Sequence, residues 1–311
     1  MKGGCAGIMP AHVEMGTQFS WFYDVIAVSI LLICIFFSGK KGFLRGIIAA
    51  VGCGLALALS LGISASAAEG LYTNTMRSGN IRKVDKIMRS DMLVTKYCAY
   101  LESLNYNIRP SSEKLTELFN SDVNYDEALC KYINNVNGRK LMEDDETLKV
   151  VHEGYAVVVR DIVAKNMSKY AAEVAAQEVM KDSSGMQELI PMLMDKDDLT
   201  PAAKFITDNY TAPAFVTIYK LWGFIILFIA SALLTIFVAN SMASRDERQS
   251  TSSHIIGGFC GAVTGLIIIF TVAAASRLGA VTGSNEMIFF NNDVVDKSLI
   301  FKYFYEFASK I

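Results

Sequence analysis

The sequence has little charge, and the charge it has is nearly balanced. Of 311 residues, 19% are charged and 52% are hydrophobic, and the mean hydropathy is +0.33. The 29 Lys and Arg residues face 31 Asp and Glu residues, for a formal charge of −2. No basic excess is present to neutralise a phosphate backbone, so we expect no nucleic-acid partner. This composition argues against a soluble enzyme and favours a membrane protein.

Residue patterns that mark common catalytic and metal sites are missing. The three histidines, His12, His152 and His254, lie far apart, and none has a second histidine at the spacing that lets two imidazoles bind one metal. The sequence contains no C-x-x-C, no G-x-S-x-G, no phosphate-binding loop and no H-E-x-x-H motif. We therefore expect no enzymatic activity, no metal and no cofactor.

Two features of the polar middle of the chain leave alternatives open. Cys98 and Cys130 share this region and either form a disulfide or remain free, partly buried thiols. The acidic run 143–146 either attracts a divalent cation or forms the solvated start of a helix, and we favour the helix start because acidic side chains complement the positive end of the helix dipole.

Four long apolar runs are long enough to cross a bilayer. Each has at most one ionisable residue and no proline. A helix rises about 1.5 Å per residue and the hydrocarbon core is about 30 Å thick, so runs of this length are typical of transmembrane helices. The predicted spans one to four cover about 21–37, 46–68, 221–244 and 250–276.

Basic residues in the two short loops predict the orientation. Lys40, Lys41 and Arg45 lie between spans one and two. Arg245 and Arg248 lie between spans three and four. Short loops rich in Lys and Arg stay in the cytoplasm, so we expect these five residues to determine the topology. The amino terminus, the middle segment and the carboxyl terminus are then extracytoplasmic.

The segment 70–215 has the composition of a soluble domain, with 18 Lys and Arg against 22 Asp and Glu. Its apolar residues recur mostly every three or four positions, which is typical of helices. We predict a long helix over 144–181, shorter ones over 124–136 and 81–88, and helix starts near Pro110 and at Thr200–Pro201. The fold is therefore an all-α membrane protein, with two membrane hairpins and an inserted helical domain.

The spans carry glycine at the spacing of close helix contacts. Gly42 and Gly46 lie at the start of span two, and Gly257, Gly261 and Gly265 recur along span four. Glycine lets two backbones approach, so we predict helix packing at these positions, either within the chain or with another protein. The spans also contain hydroxyl residues that an oligomeric channel could use: Ser29, Ser60, Ser231, Thr235, Thr264 and Thr271.

The tail 277–311 ends in an aromatic-rich segment that includes Phe301, Phe304 and Phe307. An amphipathic helix of this kind lies in the membrane interface or docks on the middle domain. The predicted organisation is then an amino-terminal segment (1–20), hairpin one (21–69), the inserted domain (70–215), hairpin two (216–276) and this tail.

Three segments of the two hairpins are distinctive: 21–26 (WFYDVI), 39–46 (GKKGFLRG) and 256–265 (IGGFCGAVTG). Together they resemble the colicin V production protein family of bacterial inner-membrane proteins, and the resemblance covers about 20–70 and 215–311. Family members often have Asp-Arg just before the glycines of the fourth span, and Arg just before the last of those glycines. This chain has Ser253-His254 and Thr264 there, and its middle domain is an insertion relative to compact members.

The resemblance implies an accessory or scaffold protein of the bacterial cytoplasmic membrane, linked to production and secretion of a peptide toxin or to envelope homeostasis. The expected partners are the lipid bilayer, other membrane or envelope proteins, and further copies of the chain. The alternative from a different class is an oligomeric transporter or channel subunit.

Overall fold

The computed structural model describes residues 19–106, 108–121, 123–135, 142–242, 250–283 and 290–311. These residues are almost entirely helical and contain no β-strand. The contacts divide the chain into two compact units: a membrane unit, formed by 1–70 with 217–311, and a middle unit, 71–216. The sequence-based boundaries of the inserted domain were 70 and 215. The protein is thus an all-α membrane protein.

The four helices that are long and apolar enough to cross a membrane are α1 (Ser20–Lys41), α2 (Phe43–Thr75), α11 (Ala212–Met242) and α12 (Thr251–Thr282). They begin or end several residues beyond the predicted spans. Hydropathy detects only the apolar part of a helix, whereas its hydrogen bonds continue into polar turns. At the third span, the helical path begins at Thr200 and reaches α11 through a π-helical segment, Ile206–Thr211.

The middle unit consists of short helices around one apolar core. They are α3 (Arg77–Asp85), α4 (Met92–Ser103), α5 (Ser112–Phe119), α6 (Tyr125–Asn135), α7 (Asp144–Val163), α8 (Lys169–Lys181), α9 (Met186–Met194) and α10 (Thr200–Phe205). Tyr97, Tyr155 and Phe119 are among its largest fully buried side chains. Sequence patterns missed α4 and α9.

The predicted long helix over 144–181 is wrong, because the structure has two helices there. α7 ends at Val163, and α8 begins after Ser168, whose side chain accepts a hydrogen bond from the backbone N–H of Ala171. Ser168 therefore caps a new helix. The apolar spacing continues through the break because α7 and α8 pack against each other and share the core. Periodicity alone could not separate them.

Three predicted helix starts coincide with observed caps or first turns. Asn124 Oδ1 accepts from the N–H of Glu127 at the start of α6. Ser111 Oγ accepts from the N–H of Lys114 at the start of α5. Pro201 lies in the first turn of α10, where its missing N–H costs nothing. The helix expected over 81–88 is α3, which begins four residues earlier.

The tail forms two helices, α13 (Asn292–Asp296) and α14 (Phe301–Ala308). Both belong to the membrane unit, where α14 packs against α1 and α12. The tail therefore has its packing partners within the membrane unit. Phe301 and Tyr305 are buried in the core of the membrane unit, whereas Tyr303 and Phe307 are exposed.

Candidate functional site

The glycines of α12 lie directly against the backbone of α1. A Cβ atom placed on Gly261 would come within 2.4 Å of the carbonyl oxygen of Cys34. One placed on Gly257 would lie 2.8 Å from the carbonyl oxygen of Ser38. Real Cβ atoms do not approach backbone so closely, so only glycine fits at these two positions without a shift of a helix.

Gly265 continues the same contact one turn further along α12. Its Cβ would lie 3.2 Å from the Cα of Leu31. Leu31, Cys34 and Ser38 are three and four residues apart and lie on one face of α1. The three glycines of span four therefore have a neighbour within their own chain, and we call this contact the glycine interface.

Gly42 and Gly46 lie at the end of the glycine interface, where α1 gives way to α2. Gly42 is buried and has a φ of 88°, a conformation that side chains with a Cβ rarely adopt. Its carbonyl oxygen lies 3.2 Å from the Cβ position of Gly257. The Cβ position of Gly46 lies 3.2 Å from the Cα of the same Gly257. The five predicted packing glycines are thus together at one place.

Two polar contacts hold the start of α12 to the same turn. Nδ1 of His254 lies 2.8 Å from the carbonyl oxygen of Gly39. Because a carbonyl oxygen only accepts, Nδ1 carries a proton and donates it. The backbone N–H of Phe43 donates to Ser253 Oγ at 2.9 Å. Ser253 and His254 therefore bind the last turn of α1 and the first residue of α2.

Three of the five predicted topology residues are near this turn. Lys40 and Lys41 are exposed in the last turn of α1, where cationic side chains complement the negative end of the helix dipole. Arg45 is partly exposed in the first turn of α2. Arg245 and Arg248 lie outside the described residues, so the second basic loop has no structural counterpart here.

Small residues also join α2 to α11, a contact that the search for repeated glycines missed. A Cβ atom on Gly52 would overlap the side chain of Thr235, and one on Gly223 would lie 3.2 Å from the Cβ of Ser64. A glycine that faces a serine or threonine lets two helices approach closely, as does a glycine that faces the backbone of another helix. Neither Gly52 nor Gly223 has another glycine four residues away in its helix, and their partners come from distant parts of the sequence.

The carboxylate of Asp24, in α1, binds the tail. Its two oxygens accept three backbone N–H groups, from Leu299 at 2.8 Å, from Ile300 at 2.8 Å and from Phe301 at 3.0 Å. These groups precede and begin α14, where N–H groups have no partner within the helix. The Phe301 ring packs on Tyr23 with centroids 4.9 Å apart.

Arg277 lies within α12, which continues to Thr282. Its Nη1 donates to Asn292 Oδ1 at 2.9 Å, and the same oxygen accepts from the Tyr305 hydroxyl. The Arg277 guanidinium also lies 5.9 Å from the centre of the Tyr305 ring. Arg277 therefore holds the tail against α12.

Hydroxyl side chains within the spans donate to the carbonyl oxygens of their own helices. Thr235 donates to Ser231 at 2.9 Å, and Thr264 donates to Cys260 at 3.0 Å. Bonds of this kind satisfy the hydroxyl proton where no water is present. The same pattern holds for Ser60 with Ala56 and for Thr271 with Ile267.

A polar cluster in the middle unit contains a serine, a histidine and an aspartate. Nε2 of His152 lies 3.0 Å from Ser183 Oγ and 3.1 Å from Asp126 Oδ2. In a catalytic triad the serine bonds to one ring nitrogen of the histidine and the aspartate bonds to the other. The first nitrogen can then take the serine proton while the aspartate holds the ring in place. Because Nε2 of His152 contacts both Ser183 and Asp126, this cluster does not have the arrangement of a triad.

Tyr155 completes the cluster from α7. Its hydroxyl donates to Asp126 Oδ1 at 3.0 Å. Burial raises the pKa of Tyr155 far above its ordinary value, with further contributions from Tyr97 and Asp126. The phenol stays neutral and acts as a donor, and the cluster thereby ties α6 to α7.

The acidic run 143–146 starts α7, in agreement with the solvated helix start. Asp144 and Asp145, with Asp126 and Glu127, border an open cavity of about 620 Å³. Among the residues that the structure describes, no group of three or more His, Cys, Asp or Glu side chains could hold a metal ion.

The two cysteines of the middle unit, Cys98 and Cys130, are free thiols and are partly buried. Burial raises the pKa of both thiols, and the carboxylates of Asp126 and Asp144 raise that of Cys130 further. Both are therefore weak nucleophiles at neutral pH.

Comparisons with protein-family models, with curated proteins and with solved structures found no match for this chain. The resemblance to the colicin V production protein family therefore stays a prediction from the residues quoted above.

Proposed function

We propose that the chain is a scaffold or accessory protein of the bacterial cytoplasmic membrane, acting in peptide-toxin secretion or in envelope homeostasis. In this proposal the four spans are an anchor, and the middle unit recognises partner proteins. The hydroxyl bonds of Ser60, Thr235, Thr264 and Thr271 are the observation that carries it, because each of these protons is used within its own helix.

The way in which the spans pack supports an anchor. Gly261 against Cys34 and Gly52 against Thr235 are contacts too close to admit water between the helices. Ion and proton pathways normally use ionisable residues inside the bilayer. Asp24, which has a carboxylate near the start of the first span, uses it to bind the tail.

The composition and core of the middle unit support a recognition role. Its core contains buried side chains from α3 to α10, so its fold does not depend on apolar contacts with a membrane. Its surface is rich in both signs of charge, which suits binding to other proteins by complementary polar contacts.

The proposal includes an extracytoplasmic middle unit, because Lys40, Lys41 and Arg45 favour a cytoplasmic first loop. Native Cys98 and Cys130 are poor reporters of this, since both are partly buried and have raised pKa values. We would replace both with alanine and introduce Glu113→Cys, an exposed position in α5. An impermeant maleimide should label this thiol in intact cells. Labelling only after lysis would contradict the orientation.

Complementation tests the function itself. In the source bacterium without this gene, we would compare the wild-type chain with a chain in which 71–216 is replaced by a Gly/Ser linker. We would also compare Gly261→Leu with Gly54→Leu, a matched control because a Cβ at Gly54 meets no atom within 4 Å. The wild type and Gly54→Leu should restore peptide export and envelope integrity, and the other two should not. Full restoration by the linker chain would contradict a recognition role for the middle unit.

A further inference from the structure

A groove runs along the outside of the glycine interface, between α1 and α12. It has a volume of about 700 Å³, and its lining includes Ile35, Phe36, Gly39, Lys40, Gly258 and Phe259. Gly258 lies on the wall that α12 contributes to the groove, and it has no side chain to fill it. A Cβ at Gly258 would only reach ordinary contact with Ile35, at 3.7 Å.

The walls of the groove are apolar and face outwards. Phe36 is 64% exposed and Phe259 is 71% exposed, and Ile255 beside them is 68% exposed. On a membrane-spanning helix, exposed side chains of this kind contact lipid tails. An acyl chain therefore matches the body of the groove in shape and in chemistry.

One end of the groove is polar and positively charged. Lys40 lies there in the last turn of α1 and is exposed. His254 also lines this end, and its Nδ1–H bond to the Gly39 carbonyl oxygen leaves only Nε2 for another partner. A cation at the end of an apolar groove, where a span meets its loop, is the arrangement that attracts an anionic headgroup.

We infer that this groove binds one anionic glycerophospholipid, with an acyl chain against Gly258 and the phosphate at Lys40. The positive charge of Lys40 favours a lipid over a second copy of the chain as the occupant. Two copies packed groove to groove in a symmetric pair would bring two Lys40 side chains to one interface, and like charges repel there. A lipid phosphate supplies the opposite charge instead.

Native mass spectrometry of the full-length protein, released from nanodiscs, tests the inference. The nanodiscs would contain equal amounts of phosphatidylglycerol and phosphatidylcholine with identical acyl chains. We expect the wild type to retain phosphatidylglycerol preferentially. Lys40→Gln should reduce that preference about fivefold, the effect of one cation near a membrane surface. Lys41→Gln, the neighbouring cation outside the groove, should change it less than twofold.

A second pair of variants tests the groove apart from the charge. Gly258→Leu fills the groove and should remove the retained lipid, whereas Gly54→Leu, on an open face of α2, should not. The Lys40 comparison remains decisive if Gly258→Leu fails to fold, because Lys40 is exposed. Equal losses for Lys40→Gln and Lys41→Gln would overturn the inference in favour of diffuse attraction. It would also be overturned if folded Gly258→Leu kept its lipid, or if that variant converted a dimer to a monomer.

Discussion

Asp24 and Phe301 are joined by a hydrogen bond across 277 positions of the sequence, from the backbone N–H of Phe301 to Asp24 Oδ1 at 3.0 Å. The bond connects the first span to the first residue of α14. With the N–H groups of Leu299 and Ile300 on the same carboxylate, it makes the tail part of the membrane unit.

Asp24→Ala should release the start of the tail. Each hydrogen bond to a charged group contributes about 1.5–3 kcal/mol, so loss of the carboxylate should detach α14 more readily than the loss of any single neutral bond. Hydrogen–deuterium exchange of the full-length protein in detergent should rise at Leu299, Ile300 and Phe301. Asp296→Asn, which removes a charge from an exposed part of the tail, is the control and should leave those amides protected. Unchanged protection in Asp24→Ala would contradict the contact.

Gly261→Ala should destabilise the membrane unit, even though it adds a single methyl group. The added Cβ would lie 2.4 Å from the carbonyl oxygen of Cys34, so α1 and α12 would have to separate. Overpacking of this kind costs about 1–3 kcal/mol. Thermal unfolding in detergent should shift to lower temperature. Gly54→Ala should not lower the temperature, since its added methyl group meets no neighbour.

The stability of the middle unit should fall as the pH rises above about 10. Burial raises the pKa of Tyr155 and of Tyr97 well above the ordinary 10.0. Their neutral forms therefore stabilise the fold fully below the unfolded pKa, and this stability is lost as the pH rises, because the unfolded chain releases protons that the folded chain retains. Absorbance at 295 nm and circular dichroism should report tyrosine ionisation and unfolding together.

Tyr155→Phe removes the hydroxyl and keeps the ring, so the same experiment measures the contribution of the hydroxyl to stability. It removes the donor to Asp126 and should cost about 2 kcal/mol at neutral pH. It should also make the loss of stability with pH shallower. Ionisation of every tyrosine near pH 10 without unfolding would contradict the buried, neutral phenol.

Ser183 should not react as a nucleophile. Its hydroxyl and the Asp126 carboxylate share Nε2 of His152, so Asp126 does not hold the ring from Nδ1 while Nε2 takes the serine proton. A fluorophosphonate probe should label neither the wild-type protein nor Ser183→Ala above background. Labelling of the wild type that Ser183→Ala abolishes would show that the cluster is activated.

The spans and several helix starts were predictable because their signals are local. An uncharged run identifies a span, and Asn124 or Ser111 before a polar turn identifies a cap. The break at Ser168 was missed because helices on both sides of it face the same core, so the apolar spacing never changes. The hydrogen bonds of Asp24 to the tail were missed for a different reason. Its partners are backbone N–H groups, which every residue type except proline carries, so the sequence gives no signal for them.

The glycines show the same difference between signals that are local in the sequence and contacts that form only in the fold. Gly257, Gly261 and Gly265 were found because they repeat within one helix, although the sequence left open whether their neighbour was in the same chain. Gly52 and Gly223 do not repeat, and each becomes recognisable only beside Thr235 or Ser64. Pairings between distant segments are decided by tertiary packing, which a single sequence does not display.

Flux through proteoliposomes that contain only this protein is the most direct test of the proposed anchor. The hydroxyls of Ser60, Thr235, Thr264 and Thr271 donate to their own helices, and the spans pack on glycine, so we expect no protein-dependent flux of ions or small solutes. Thr235→Ala and Thr264→Ala should behave like the wild type. A sustained flux that either variant changes would show that these hydroxyls line a pathway, and it would contradict the scaffold in favour of a channel or transporter subunit.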